Sequence, residues 1–345
     1  MKIFYGVNGV GNGHLTRARV MAKELQRIGA AVTYLFSGRE QSKYFDMEIF
    51  GDCLYKEGMK FSITNGSINP VKTIVGNDFI QLFKDIKSLN LDDYDVILTD
   101  YEPITSWYCN FYDRESIGIG HQYAFDYDIP KMPGNLIARK IMKEYAPASL
   151  GVGLHWHHFD QPILPPIIET TPSEFVDDKR IVVYLPFENT QHVIHLLSDH
   201  SDYTFHIYGS DKSVRYPNHI KMFDPSRIAF QEDVSTCGGI ICNAGFELAS
   251  EALQLGKKIL VKPVTGQIEQ YANALALQRL NYGCTMQMLD AGAVHMWIKY
   301  EQAVQVIYPN VARYIAEAIA DNSIHKIHSL SKVVWDAVKV IRPDL

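Results

Sequence analysis

Cysteine is scarce and unpaired in this chain of 345 residues: Cys53, Cys109, Cys237, Cys242 and Cys284 are an odd number with no Cys-x-x-Cys spacing. A disulfide framework is therefore not expected, and the five thiols read as buried bystanders in a reducing compartment. Excess positive charge is also missing. The net charge of −6 argues against a general affinity for nucleic acid, which needs a broad cationic surface to release counterions from phosphates. No apolar run approaches the roughly 20 residues of a membrane span, and the stretch Met1–Val7 is too short and too quickly followed by polar residues to be a signal peptide. A soluble, cytoplasmic chain is expected. Internal repeats and low-complexity tracts are absent, and 47% hydrophobic with 21% charged residues is an ordinary globular composition. The length exceeds one hydrophobic core, so two domains of roughly 150 residues are expected.

The first half alternates short apolar runs with amphipathic stretches: Ile3–Val7, a helix over about 16–28, Ala31–Phe36, Val96–Thr99, Ile117–Ile119 and Gly151–Leu154. This is the rhythm of a parallel α/β sheet. Pro162, Pro165, Pro166 and Pro172 then break it, which makes 161–179 a linker between a first domain at 1–160 and a second at 180–322. The rhythm resumes with Ile181–Leu185, Thr204–Tyr208, Gly239–Cys242 and Ile259–Val261. From Ala291 onward no strand is expected. Ile324, Ile327, Leu330, Val334, Ala337, Val338 and Ile341 lie on one helical stripe, so 323–345 reads as a C-terminal helix able to pack across both domains.

Two tracts carry chemistry. The first, Asn8-Gly9-Val10-Gly11-Asn12-Gly13-His14-Leu15-Thr16-Arg17, follows the first strand, and Gly11 and Gly13 let a helix start close beside a ligand. The glycines do not follow Gly-x-Gly-x-x-Gly and no Walker lysine follows, so neither a dinucleotide fingerprint nor a P-loop is present. His14, at a strand's carboxyl end and a helix N-terminus, is suited to accept a proton; a plain helix cap is the alternative. The second tract runs from Cys242-Asn-Ala-Gly245 through Glu251 to Pro263, followed by Gln267-Ile-Glu269-Gln270-Tyr-Ala-Asn273. Gly245 turns a strand into a helix whose N-terminus favours a diphosphate, and Glu251 can accept two hydrogen bonds from a ribose diol.

Together these tracts resemble the GT-B glycosyltransferases, in particular the nucleotide-sugar-dependent group that includes the lipid II-forming N-acetylglucosaminyltransferase and the plant and macrolide glycosyltransferases. Gly-x-Gly-His near the N-terminus and Gly-x5-Glu-Ala-Leu, Gly-Lys, Pro and Glu-Gln-x-x-Asn-Ala near the C-terminus match in order, over about 6–17 and 238–274. The chain is also similar to a bacterial and archaeal branch of that group. The resemblance implies two Rossmann-like parallel-sheet domains facing across a cleft. It makes Gly245 and the amides after it a diphosphate cradle, flanked by Asn243 and Phe246. Glu251 becomes the ribose ligand, Glu269 and Gln270 the ligands of the donor-sugar hydroxyls, and His14 the acceptor base. An acid polarises that histidine in relatives, which points to Asp100, with Glu102 in reserve. Two departures stand out: Asn243 occupies the place of a phosphate-binding histidine in plant relatives, and Glu247 puts a carboxyl beside the diphosphate.

The implied reaction is inverting transfer, without metal or other cofactor, from a nucleotide diphosphate sugar, UDP being the nucleotide most of the group uses. The acceptor is a hydroxyl compound of unknown identity, in which a lipid or glycan link is one option. A hydrolase, a 2-epimerase and a non-catalytic sugar-nucleotide-binding protein are the rivals on the same fold. His121 and Gln122 are acceptor-site candidates, Phe187-Glu188-Asn189 borders the donor, and Ile228 and Phe230 are candidates for an apolar wall at the nucleobase. The basic, apolar stretch Asn135–Lys143 suits either a surface helix or peripheral membrane contact. His155-Trp156-His157-His158 invites a metal reading but lacks a third ligand, and a segment lining the cleft is preferred.

Overall fold

The computed structural model describes residues 1–59, 63–64, 67–68, 78–131, 136–209, 214–224 and 226–343. The first domain contributes β1 (Lys2–Asn8), β2 (Ala31–Ser37), β3 (Cys53–Lys56), the antiparallel two-residue strands β4 (Ile63–Thr64) and β5 (Ser67–Ile68), β6 (Val96–Asp100), β7 (Ile117–Gly120) and β8 (Leu150–Gly153). The second contributes β9 (Asp177–Tyr184), β10 (Thr204–Tyr208), β11 (Ile220–Phe223), β12 (Cys237–Asn243), β13 (Lys258–Lys262) and β14 (Cys284–Thr285). Among the described residues these, β4 and β5 apart, form two six-stranded parallel sheets, ordered β3-β2-β1-β6-β7-β8 and β11-β10-β9-β12-β13-β14. The α/β reading of the sequence is thus met in both halves. Ile3, Tyr5, Val7, Ile181, Val182, Val183, Ile240 and Ile241 are all 3% exposed or less, as continuous apolar strands require when helices cover both faces of a sheet.

The strand order positions the site. In each sheet the chain reverses direction of travel beside its first strand, between β1 and β6 and between β9 and β12. Loops leaving two adjacent strands there swing to opposite faces and open a crevice at the carboxyl ends. Register brings Val7 level with Asp100 in one sheet, and Tyr184 level with Cys242 in the other. The loop after β1 therefore lies next to Asp100, and the loop after β9 next to the Asn243–Gly245 turn.

The C-terminal part differs from expectation. Instead of a strand-free stretch, β15 (Gln305–Ile307) pairs antiparallel with β16 (Lys339–Ile341). The last apolar residues, Val340 and Ile341, are in that exposed strand rather than on a helix. A three-residue strand paired with a partner more than thirty positions away leaves no periodicity to read. The helix Ile327–Trp335 remains, and Ser331 Oγ and Trp335 Nε1 donate to the Ile163 carbonyl at 2.8 and 2.7 Å. The helix Val311–Ala320 touches the first domain: Arg27 donates to Glu317 at 2.8 Å, and Asn310 to Glu24 at 2.7 Å. No helix of the described residues is long and apolar enough to cross a membrane. In the basic stretch, Leu136–Tyr145 is helical with Lys140, Ile141 and Lys143 exposed, while Asn135 and the side chains of 136–139 lie outside the described residues.

Candidate active site at the contact between the two sheets

Asn8 ends β1 and shapes the glycine loop. Its Oδ1 accepts from Val10 N–H at 2.9 Å and its Nδ2 donates to the Tyr101 carbonyl at 3.0 Å, tying the loop to the turn after β6. Gly11 then caps the helix Asn12–Arg27 without a side-chain bond. His14 sits in the first turn of that helix, and Arg17, three residues on, shares its face. The two meet Asp100, which is fully buried at the end of β6. His14 Nδ1 lies 2.6 Å from Asp100 Oδ1, Arg17 Nε donates to Oδ2 at 2.7 Å, and Arg17 Nη2 donates to Oδ1 at 2.5 Å.

Burial pushes the Asp100 carboxyl up, but Arg17 and His14 beside it outweigh that and hold it below its ordinary range. Burial also opposes the Arg17 charge, and Asp100 and Glu247 more than compensate, so the guanidinium stays protonated. A carboxylate at Asp100 must receive the Nδ1 proton, which leaves the lone pair of His14 on Nε2. Glu102, the reserve, is spent elsewhere. It caps the helix Pro103–Phe111, accepting from Ile104 N–H, Thr105 N–H and Ser37 Oγ at 2.8, 2.7 and 2.6 Å.

On the second domain, Gly245 precedes the helix Phe246–Gln254, again with no side-chain cap. Its first N–H groups therefore receive no side-chain acceptor from the cap residue. Asn243, 7% exposed, donates through Nδ2 to the Lys262 carbonyl at 3.0 Å and to Glu188 at 3.3 Å. Lys262 Nζ reaches the same Glu188 oxygen at 2.7 Å, both side chains being shielded from solvent. Glu251 is also buried, and burial, with Glu247 and Glu169 nearby, pushes its carboxyl up to about 8. Gln270 Oε1 accepts from Val264 N–H at 2.8 Å, while Glu269 accepts from Gln122 of the first domain at 3.1 Å. Of the proposed nucleobase wall, Ile228 is 72% exposed and Phe230 packs between Tyr184 and Tyr208.

The two loops touch directly. Glu247 leaves the second-domain helix and bonds Arg17 Nη1. It does not turn to solvent. His121, expected at an acceptor site, is a buried strut instead: it is 1% exposed, lies 2.8 Å from the Leu154 carbonyl and 2.6 Å from Asn273 Oδ1, and stacks on Phe246 at 4.0 Å and 3°. Its position after β7 matches the sequence reading, but in this closed arrangement its ring is covered by the other domain. Trp156 is buried beside it and donates to Ser250 Oγ at 2.8 Å, while His157 Nδ1 accepts from Phe159 N–H. Among the described residues no three His, Cys, Asp or Glu side chains gather to hold a metal ion.

Sequence reasoning missed Arg17, the direction taken by Glu247, and the Glu188–Lys262 pair. The spacing of Arg17 from His14 on one helix was the signal for the first. The other two depend on contacts that no local pattern encodes.

Solved structures of glycosyltransferases share this architecture. SnogD from Streptomyces nogalater aligns over 98% of this chain and 99% of its own, at 13% identity and a TM-score of 0.54. The glycotransferase of kitacinnamycin aligns over 97% and 98%, at 11% identity and a TM-score of 0.60. The spinosyn rhamnosyltransferase SpnG, in complex with thymidine diphosphate, aligns over 96% of both chains at 13% identity and a TM-score of 0.58. No curated protein matches the chain. The model of glycosyl transferase family 1 matches residues 1–300. With two parallel sheets meeting at their carboxyl ends over such a match, the chain belongs to glycosyl transferase family 1 and is a glycosyltransferase.

Proposed function

We propose that this enzyme transfers a sugar, with inversion and without a metal, from a nucleotide diphosphate sugar to an acceptor hydroxyl, using His14 as general base. The observation that carries the reading is the buried Asp100 carboxylate 2.6 Å from His14 Nδ1, set beside the uncapped helix that follows Gly245. Nε2 of His14 takes the hydroxyl proton as the acceptor oxygen bonds to the anomeric carbon. The bond from that carbon to the phosphate oxygen breaks, and the nucleoside diphosphate leaves with the electron pair. Charge grows on the leaving phosphate, where helix N–H groups and the dipole stabilise it more in the transition state than in the ground state.

Glu251 is the ribose ligand in this reading, and Glu269 and Gln270 bind sugar hydroxyls. For Glu269 this requires exchanging Gln122 for substrate. UDP is the proposed nucleotide from the resemblance; the thymidine diphosphate complex of SpnG makes dTDP the comparison to run beside it. The test is a thermal-shift panel of UDP-, dTDP-, GDP- and CMP-sugars with their free nucleotides, since a ligand that binds the native state raises its stability. A selective shift that disappears in Glu251→Ala and persists in His14→Ala supports the assignments. No shift with any sugar nucleotide sinks them.

A further inference from the structure

A carboxyl in the first turn of the helix after Gly245 would oppose a diphosphate bound there, yet Glu247 is in that turn. Its side chain crosses to the first domain over Gly13, where any Cβ would collide with Glu247 Cγ. It ends on Arg17 Nη1. The other two nitrogens of that guanidinium, Nε and Nη2, donate to the two oxygens of Asp100 at 2.7 and 2.5 Å. Because a guanidinium is planar, gripping Nη1 fixes the plane in which the remaining fork meets its carboxylate. The plane matters here. Arg17 Nη2 lies 2.9 Å from His14 Nδ1, and two N–H donors at that distance are tolerated only while Asp100 Oδ1 accepts from both.

We infer that Glu247 is a positioning residue for His14: it acts across the interdomain contact through Arg17 and Asp100, so that the base is oriented when the two domains are closed. The inference rests on the reaction proposed above. It also accounts for a carboxyl beside a diphosphate. Burial, with Asp100 and Glu269 near and Arg17 only partly offsetting them, pushes Glu247 up to about 8, so an arriving anion meets a group that readily holds a proton. The charged and titratable groups linked to the imidazole are Asp100 from β6 and Arg17 on its own helix, which touch it, and, one contact further out, Tyr5 from β1 on Asp100 and Glu247 of the second domain on Arg17.

The test is NMR of the full-length protein carrying 13C-labelled histidine, with the His14 signal assigned from His14→Gln and titrated without any sugar nucleotide. In Glu247→Ala the tautomer signature of His14, read from its ring 13C shifts, is expected to move. Glu247→Gln, whose amide oxygen still accepts from Arg17, should move it by less than half as much. In transfer assays Glu247→Ala is expected to lower kcat about 10- to 100-fold with donor KM within about threefold, and Gln to recover most of the loss. Arg17→Lys, which keeps the charge and loses the fork, should move the His14 signal the same way and serves if the alanine variant does not fold. An unmoved His14 signal in a folded Glu247→Ala or Arg17→Lys protein overturns the inference, as does a raised KM at unchanged kcat. Absence of transfer from every sugar nucleotide would instead overturn the proposed reaction, because the histidine titration needs no substrate.

Discussion

His14 and Asp100, 86 residues apart in sequence, meet at 2.6 Å across the carboxyl ends of two adjacent strands, and Asp100 has no exposure to solvent. The pair sets the tautomer of the histidine, because a buried carboxylate held by Arg17 can only accept.

Asp100→Asn keeps the shape of the carboxylate but offers His14 an amide that can present N–H to Nδ1, stabilising the wrong tautomer. We predict a fall in kcat of about 10²- to 10⁴-fold with donor affinity little changed. The buried Arg17 would also lose one of its two carboxylate partners, keeping only Glu247, at a cost of up to about 3–5 kcal/mol of stability. Steady-state kinetics beside urea unfolding separates the two; wild-type kcat in the variant would remove Asp100 from the site.

Glu251 predicts a stability that declines with pH. Its carboxyl is raised to about 8 by burial, whereas in the unfolded chain it titrates at about 4.3, so the folded state binds the proton more tightly. That contribution is complete below the unfolded value and is lost as pH rises through about 8. Glu247 acts in the same direction. Glu251→Gln should therefore flatten the fall in unfolding free energy between pH 5.5 and 8.5, by on the order of a few kcal/mol. Equal declines in variant and wild type, measured by urea titration at both values, would contradict the buried acid.

Phe246 stacks on His121 at 4.0 Å and on Trp156 at 5.1 Å, joining the second domain to residues that follow β7 and β8 of the first. Phe246→Ala should cost about 3–5 kcal/mol, as a large aromatic removed from a packed site. It should also loosen the domain contact, read as a larger radius of gyration in small-angle scattering. An unchanged radius with lowered stability would confine Phe246 to its own domain's core.

The Glu188–Lys262 pair is buried on both sides, at 8% and 6% side-chain exposure. Removing one partner strands a charge, so Lys262→Met alone and Glu188→Gln alone should each cost about 3–5 kcal/mol, while the double variant should recover much of the loss. Chemical denaturation of all four proteins completes the cycle. Additive losses would show that the two side chains do not depend on each other.

Most of the architecture was legible in the sequence. Alternating apolar runs and amphipathic stretches revealed the parallel sheets on both sides of a proline-rich segment, because a strand covered on both faces must be apolar throughout. The edge strands β3, β11 and β14 escaped because they are short and largely half-exposed, so they carry no continuous apolar run. The β15–β16 pair escaped because Val338 and Ile341 also fit a helical stripe. The sequence put Asp100 first as the partner of His14 and held Glu102 in reserve. They separate in the structure, where Glu102 faces helix N–H groups while Asp100 faces His14 and Arg17.

The sequence by itself determined the local geometry: where most strands end, where Gly11 and Gly245 turn a strand into a helix, and that His14 falls at a helix N-terminus. Those features follow from steric and periodic rules acting within a few residues. Only the tertiary structure decided what those turns meet. Arg17 joins Asp100 over 83 positions and Glu247 over 230, and His121 joins Asn273 over 152. Partners so distant are chosen by the order of strands in each sheet and by the packing of one domain on the other, where a buried charge or ring must find its complement.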